Sequence, residues 1–366
     1  MASRLDAAGP EPRRLLLVHQ FALPRVSGLT ITVAELVRAI GQIGAGAAAS
    51  SLSFEDASDP DQIVARLDRD HGDAGAVVGF NLHIEAGWEH TLALAGWCRR
   101  RRIPFMVYAH DYWPHHRDAV AVLTETFGAD LLAITPAIVS DLAADGFAAR
   151  LLRAGVAVPA RPFAPPPRPG RAHTVAAVGR LVPRKRFADV VGAFCLARTA
   201  PEAELYLRVP PSLVYPPEQD ALRLDEIRAE AAACQRRVLI DPQPRAGTEY
   251  GRWAMYVSAS EYEGVSMTPL EAVLQGCPFV LSDIPPHRAI AGTLFPDRAA
   301  DFLFPLGDRR ALASLLEHEL GTGERRAEVW ARAAEIHAVV DRKWSLRTTA
   351  RRLVALVPAA SAAGSG

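Results

Sequence analysis

"VAAVGRLVPRKRFADVVGAF", residues 175–194, opens on an apolar run that stops at Gly179, passes through Arg180, Arg184, Lys185 and Arg186, and closes on a helix-like stretch. A short apolar run ended by glycine reads as a buried strand, so the segment is a strand–loop–helix unit with its cations at the strand's carboxyl end. In open parallel sheets ligands sit beyond such ends, where helix N-termini present unpaired N–H groups. Like charges crowded at one strand end repel unless an anion lies among them or they splay into solvent, and the segment by itself leaves both readings open. Lys185 is one of only two lysines, the other being Lys343.

The same alternation extends in both directions. Before it, "LLLVHQF" (15–21), "AVVGFNL" (76–82), "PFMVYAH" (104–110) and "LLAIT" (131–135) read as strands separated by helix-like sequence. Val33, Leu36, Val37 and Ile40 recur at helical spacing, and Thr135, Pro136 and Gly146 mark the cap, first turn and stop of another helix. After it come "AELYLRV" (203–209), "RVLID" (237–241), "WAMYVSA" (253–259) and "PFVLSD" (278–283). Between the halves, "PARPFAPPPRPG" carries six prolines in twelve residues, which neither a strand nor a helix interior tolerates. The expected organisation is an N-terminal domain over 1–158, a proline-rich linker over 159–172, a C-terminal domain over 173–342, a closing helix over 343–357 and a frayed tail over 358–366. The fold class is α/β: two Rossmann-like lobes with parallel sheets and a cleft between them.

Composition narrows the partners. The chain has 366 residues, 49% of them hydrophobic, and its 41 basic and 41 acidic side chains cancel. No net positive field favours nucleic acid, so small-molecule partners are expected. Cys98, Cys195, Cys234 and Cys277 form no C-x-x-C pair, which predicts a reduced chain without a disulfide and a cytoplasmic location. No segment reads as a signal peptide or a membrane span. The basic run in "CRRRRIP" (98–104) fits a helix C-terminus better than a peripheral membrane contact.

Three more loops can carry chemistry. In "EYEGVSMTPLEAVLQGCP" (261–278), Glu263 precedes Gly264, and Thr268, Pro269 and Glu271 have the pattern of a capping box. Capping accounts for Glu271 but not for Glu263, which is either a surface acid at a turn or a carboxylate facing the cleft. Ser27 and Gly28 precede the first helix, as an ordinary turn or as a close backbone approach to an anion. In "FMVYAHDYWPHHRD" (105–118), His110, Asp111, His115 and His116 lack zinc-motif spacing, while Tyr112 and Trp113 either stack on a sugar or fill the core. "DPD" (59–61) and "DRD" (68–70) match the letters of a metal-binding Asp-x-Asp motif but follow no apolar strand, so no metal site is expected.

Together these loops resemble glycosyltransferase family 4, the retaining enzymes of the GT-B fold. "VGRLVPRK" is similar to the family's phosphate loop and "EGVSMTPLEAVLQGCPFVLSD" to its paired-glutamate segment, across residues 175–285; the N-terminal likeness, at Gly28, at His110 in "AHD" and at "KWS" (343–345), is looser. The resemblance implies a sugar transferase that uses a nucleoside-diphosphate sugar as co-substrate, a hydroxyl acceptor, and neither metal nor other cofactor. It implies donor contacts from Gly28, Arg180, Lys185, Glu263, Gly264, Val265, Ser266, Met267, Thr268 and Glu271. Arg180 and Lys185 would take the diphosphate, Glu271 the ribose and Glu263 the transferred sugar. His110 would sit beside that sugar, giving a catalytic set of His110, Arg180, Lys185 and Glu263. Acceptor contacts would come from His19, Phe21, Asp111, Tyr112 and Trp113. Arg186 replaces a usual glycine, so the phosphate loop is expected to sit differently. A non-catalytic GT-B scaffold and a GT-B sugar-nucleotide epimerase are the alternatives.

Overall fold

The computed structural model describes residues 13–19, 28–43, 46–82, 87–164, 173–211, 216–243 and 249–357. The chain divides into two units: one takes residues up to Ala157 and again from Lys343, the other is Val158–Arg342.

Unit 1 alternates β1 (Arg13–His19), α1 (Gly28–Ile43), β2 (Ala47–Ser53), α2 (Pro60–Asp70), β3 (Ala76–Phe80), α3 (Trp88–Arg101), β4 (Phe105–Ala109), α4 (Arg117–Ala121), β5 (Asp130–Ala133), α5 (Pro136–Ala144) and β6 (Ala149–Leu151). Its strands form one six-stranded sheet in the order β2-β1-β3-β4-β5-β6, with every pair parallel. Every residue of β3 and β4 is buried, which is why those strands read as unbroken apolar runs. Thr135 caps α5 through its side chain, and Gly146 takes a φ of 91° beyond the helix end.

Unit 2 alternates β7 (Thr174–Val178), α6 (Phe187–Leu196), β8 (Glu204–Arg208), α7 (Pro217–Ala233), β9 (Arg237–Asp241), β10 (Met255–Ser258), α8 (Met267–Leu274), β11 (Phe279–Ser282), α9 (Pro285–Leu294), β12 (Leu303–Phe304), α10 (Arg309–Thr322) and α11 (Glu324–Ala331). Its sheet is also six-stranded and parallel, ordered β12-β11-β10-β7-β8-β9. Leu205 and Leu207 face a core shared with Val190, Phe194 and Leu316. The helix α12 (Ala333–Trp344) leads back into unit 1, where α13 (Leu346–Leu356) packs on α1. Ser345 caps α13, and its neighbours are strapped to the segment after β6: Val156 N donates to Trp344 O at 2.7 Å and Leu346 N to Val156 O at 3.0 Å.

One expectation fails outright. Cys195, in the last turn of α6, and Cys234, just past α7, form a disulfide across a sequence separation of 39. Sequence spacing shows a pair only when the partners are local, whereas here two packed helices bring their C-terminal ends together. Closing a loop of this span stabilises the fold by about 4 kcal/mol in the chain-entropy picture. Cys98 and Cys277 are buried free thiols. Among the described residues no helix is long and apolar enough to cross a membrane.

Candidate active site

The sheet of unit 2 changes its direction of growth between β7 and β10, with β8 and β9 added on one side and β11 and β12 on the other. At such a switch point the two outgoing loops diverge and open a crevice at the carboxyl edge of the sheet. One of these loops carries Arg180 and Lys185, the other Glu263 to Ser266.

The first loop is pinned by its backbone. Gly179 N donates to Arg208 O at 3.0 Å and Leu181 N to Pro210 O at 2.8 Å, while Leu181 and Val182 are buried. A tight turn over Pro183–Lys185 then sends Lys185 back across Gly179. A Cβ on residue 179 would lie 3.1 Å from Lys185 Cε, so the bare glycine lets the lysine lie flat. Its ammonium reaches Glu263 Oε1 at 2.6 Å. Arg186 stands where the resemblance has a glycine. It adopts φ 50° and ψ 43°, the left-handed conformation that glycine takes at no steric cost, and Asp189 holds its guanidinium at 2.6 Å. An ion pair thus supports the turn that a glycine would make freely.

Glu263 is buried, which by itself would raise its carboxyl; the Lys185 charge and hydrogen bonds from Lys185 and Ser260 outweigh that and hold it below the usual 4.5. Beneath it lies a polar cluster. The Ser258 and Ser260 hydroxyls are 3.0 Å apart, and Ser282 Oγ donates to Ser260 O. His287 is fully buried, with Nδ1 2.8 Å from Ser282 O and Nε2 3.1 Å from Ser266 Oγ. Burial pushes its imidazole down to about 4. The unfolded chain therefore takes up a proton at His287 before the folded protein does. That group's contribution to stability is complete above pH 6.5 and is lost as pH falls toward 4, amounting to about 3 kcal/mol. Urea unfolding at a series of pH values from 7 to 4 should show this acid slope, and His287→Gln should remove its share; an unchanged slope in the variant would refute the assignment.

The capping box expected from Thr268 to Glu271 does not form. The helix α8 starts at Met267 with Ser266 as its N-cap, so Pro269 is its third residue and Glu271 lies too deep to reach back. Glu271 Oε2 instead accepts from Tyr250 Oη at 3.1 Å, and burial raises its carboxyl above the usual range despite that bond. Among the described residues no group accepts from the Met267 or Thr268 amide, and the Ser266 side chain makes no capping bond. These two N–H groups and the positive end of the helix dipole therefore lie unused at the crevice. The structure thus gathers Lys185, Glu263, Gly264, Val265, Ser266, Met267, Thr268 and Glu271 on neighbouring loops and one helix, with Arg180 directly after Gly179.

In unit 1, His110, Asp111, Tyr112 and Trp113 follow β4 in sequence, and His19 ends β1, buried. His110 N donates to Asn81 Oδ1 at 2.7 Å, its ring packs 4.6 Å from that of Tyr108, and its Nε2 is buried without a hydrogen-bond partner among the described residues. Burial also takes this imidazole down to about 4, leaving it neutral. Tyr112 is buried and donates to Asp145 at 2.5 Å, whereas Trp113 is 42% exposed; of the two aromatics, only Trp113 has a face available to stack. Gly28 is the first residue of α1; Ser27 and Phe21 lie outside the described residues. His116 Nδ1 accepts from Trp113 N, Asp59 caps α2, and Asp68 accepts from Trp97. Among the described residues no three His, Cys, Asp or Glu side chains gather as a metal site would require. Arg99, Arg100 and Arg101 form the last turn of α3, as a helix C-terminus favours.

Sequence reasoning missed Ser260, His287, Tyr250 and Asn81. A histidine two residues into a helix that follows a buried strand was a weak signal for His287. A left-handed Asn81 (φ 55°) directly after β3 left none, because it is visible only in the backbone.

No family model matches the chain, and no curated protein matches it in sequence. Solved structures do. HepE from Anabaena, in complex with UDP and glucose, aligns with a TM-score of 0.70 at 12% identity over 94% of this chain and 98% of its own. Sucrose-phosphate synthase from Thermosynechococcus elongatus gives 0.69 at 16% over 94% and 98%. A glycosyltransferase from Rickettsia africae gives 0.68 at 13% over the same shares, 94% and 98%. The chain has the two-lobe α/β fold of these proteins, the GT-B architecture.

Proposed function

We propose that the protein is a retaining glycosyltransferase of the family 4 type, acting in the cytoplasm, that moves a sugar from a nucleoside diphosphate to a hydroxyl acceptor without a metal ion. The observation that carries this reading is the conjunction at the β7–β10 switch point: a half-buried Lys185 paired with a buried Glu263, beside two helix N–H groups that have no partner among the described residues. HepE, with the same fold, has been solved with UDP and with UDP-glucose, which favours a uridine donor among the alternatives.

In this reading Lys185, Arg180 and the Met267 and Thr268 amides take the charge that builds on the departing diphosphate, the duty a metal performs in other transferases. The bond from the anomeric carbon to the phosphate oxygen breaks and one to the acceptor oxygen forms on the same face. The acceptor's proton passes to the departing phosphate, so no side-chain base is needed. Glu263, kept ionised by Lys185, accepts from a hydroxyl of the transferred sugar and favours the developing positive charge. Glu271, oriented by Tyr250, takes the ribose hydroxyls.

Thermal shift with UDP, GDP, ADP and dTDP tests the reading. A diphosphate present at about 100 times its dissociation constant stabilises the native state by about 2.7 kcal/mol, so UDP should raise the melting temperature and Glu271→Ala should blunt the rise. No shift with any of the four, and no product from any sugar nucleotide, would overturn it.

A further inference from the structure

We infer that His287 is a positioning residue that keeps the N-terminus of α8 open to an anion by holding the Ser266 hydroxyl away from it. The inference rests on the donor-site reading above and identifies what maintains that site.

A serine at an N-cap ordinarily turns its oxygen onto an amide of its own helix. In α8 Pro269 has no N–H, so the second-residue amide, Thr268, is the natural target. Ser266 nevertheless makes no such bond. Its hydroxyl lies 3.1 Å from His287 Nε2, and the chemistry of the ring dictates the direction of that contact. His287 Nδ1 is 2.8 Å from Ser282 O, a carbonyl that only accepts, so Nδ1 bears the hydrogen. In the neutral ring Nε2 must then accept, and Ser266 Oγ–H donates to it. The imidazole has no exposure to solvent, and its two nitrogens face the Ser282 carbonyl and the cap residue. Glu263 and Lys185 are the charged groups that act on it most strongly, and they belong to the same site. His287 thus touches no substrate; it withholds an internal competitor from the helix end that a phosphate would use.

The test is a double-mutant cycle read by titration calorimetry with UDP. His287→Asn keeps a donor for the Ser282 carbonyl but is too short to reach Ser266. Because a serine cap bond is worth about a factor of ten, His287→Asn should weaken UDP binding by about tenfold in the wild-type background. In a Ser266→Ala background, where no competing hydroxyl exists, the same change should cost less than about threefold. His287→Gln, whose amide oxygen reaches Ser266, should recover most of the lost affinity. A purely structural role would give equal losses in both backgrounds, and that result, or no loss in either, overturns the inference. His287→Met fills the ring's space without an acceptor and takes the place of His287→Asn should the latter not fold. If wild-type protein binds no UDP, GDP, ADP or dTDP, the donor-site reading fails first and this inference with it; binding by wild type with no coupling between residues 266 and 287 sinks the inference alone.

Discussion

Lys185→Ala should lower turnover with the preferred sugar nucleotide by about two to three orders of magnitude, the loss seen when one donor to a developing anion is removed. A second effect accompanies it, because the same substitution strands Glu263. That carboxylate is buried and owes its low pKa to the ammonium 2.6 Å away, so without it the group must either protonate or remain an unpaired buried charge. Breaking a buried pair on one side costs about 3–5 kcal/mol. The two effects separate in the double variant Lys185→Ala/Glu263→Gln, which should regain much of the lost stability while remaining inactive. Lys185→Arg should not rescue turnover either, since a planar fork does not fit a gap shaped around a point charge beside Gly179. Steady-state rates with unfolding curves on the same samples decide the matter; a folded Lys185→Ala variant within about threefold of wild-type turnover would remove the lysine from the mechanism.

Gly155→Ala should be the most damaging conservative change in unit 1. A Cβ at that position would lie 2.4 Å from Leu346 N and from Ser345 C, and 2.6 Å from Leu346 Cα. All three are backbone atoms that no rotamer change can move aside. To admit the methyl group, the start of α13 must shift, and the two hydrogen bonds linking Val156 with Trp344 and Leu346 then stretch or break. Overpacking and those lost bonds together should cost about 3 kcal/mol or more, a fall of roughly 10 °C in melting temperature. Thermal denaturation of the purified variant measures this, with limited proteolysis near residue 345 as a second readout. A melting temperature within about 2 °C of wild type would show that the junction relaxes easily.

The central strands were legible because parallel sheets bury both faces: β3, β4, β7 and β11 are apolar runs that any hydropathy reading finds. The edges were not. The strand β2 is "AAASSLS", small and without β-branched side chains, yet all seven residues pair with β1 because that neighbour is already in place. The two-residue β12 and three-residue β6 are too short to carry a pattern. In the site, spacing and charge pointed to Lys185 and Glu263, but not to their contact, which depends on the change of growth direction between β7 and β10. The Thr268–Glu271 spacing matches a capping box, but two further helical residues, Met267 and Thr268, move the cap to Ser266. His287 and Tyr250 act through partners 21 positions away along the chain, and the disulfide through one 39 away, beyond the reach of any local motif.

The discontinuity of unit 1 also has a consequence for how the molecule is made. Its finishing piece, α13, follows the whole of unit 2 in the chain and is therefore translated after it. Until then α1 lacks the helix that covers it and the Gly155 junction has no counterpart, whereas Val158–Arg342 already contains every strand of its own sheet. Synthesis therefore completes the later-encoded domain first, and the nascent N-terminal half waits, with apolar surface uncovered, for α13 to arrive.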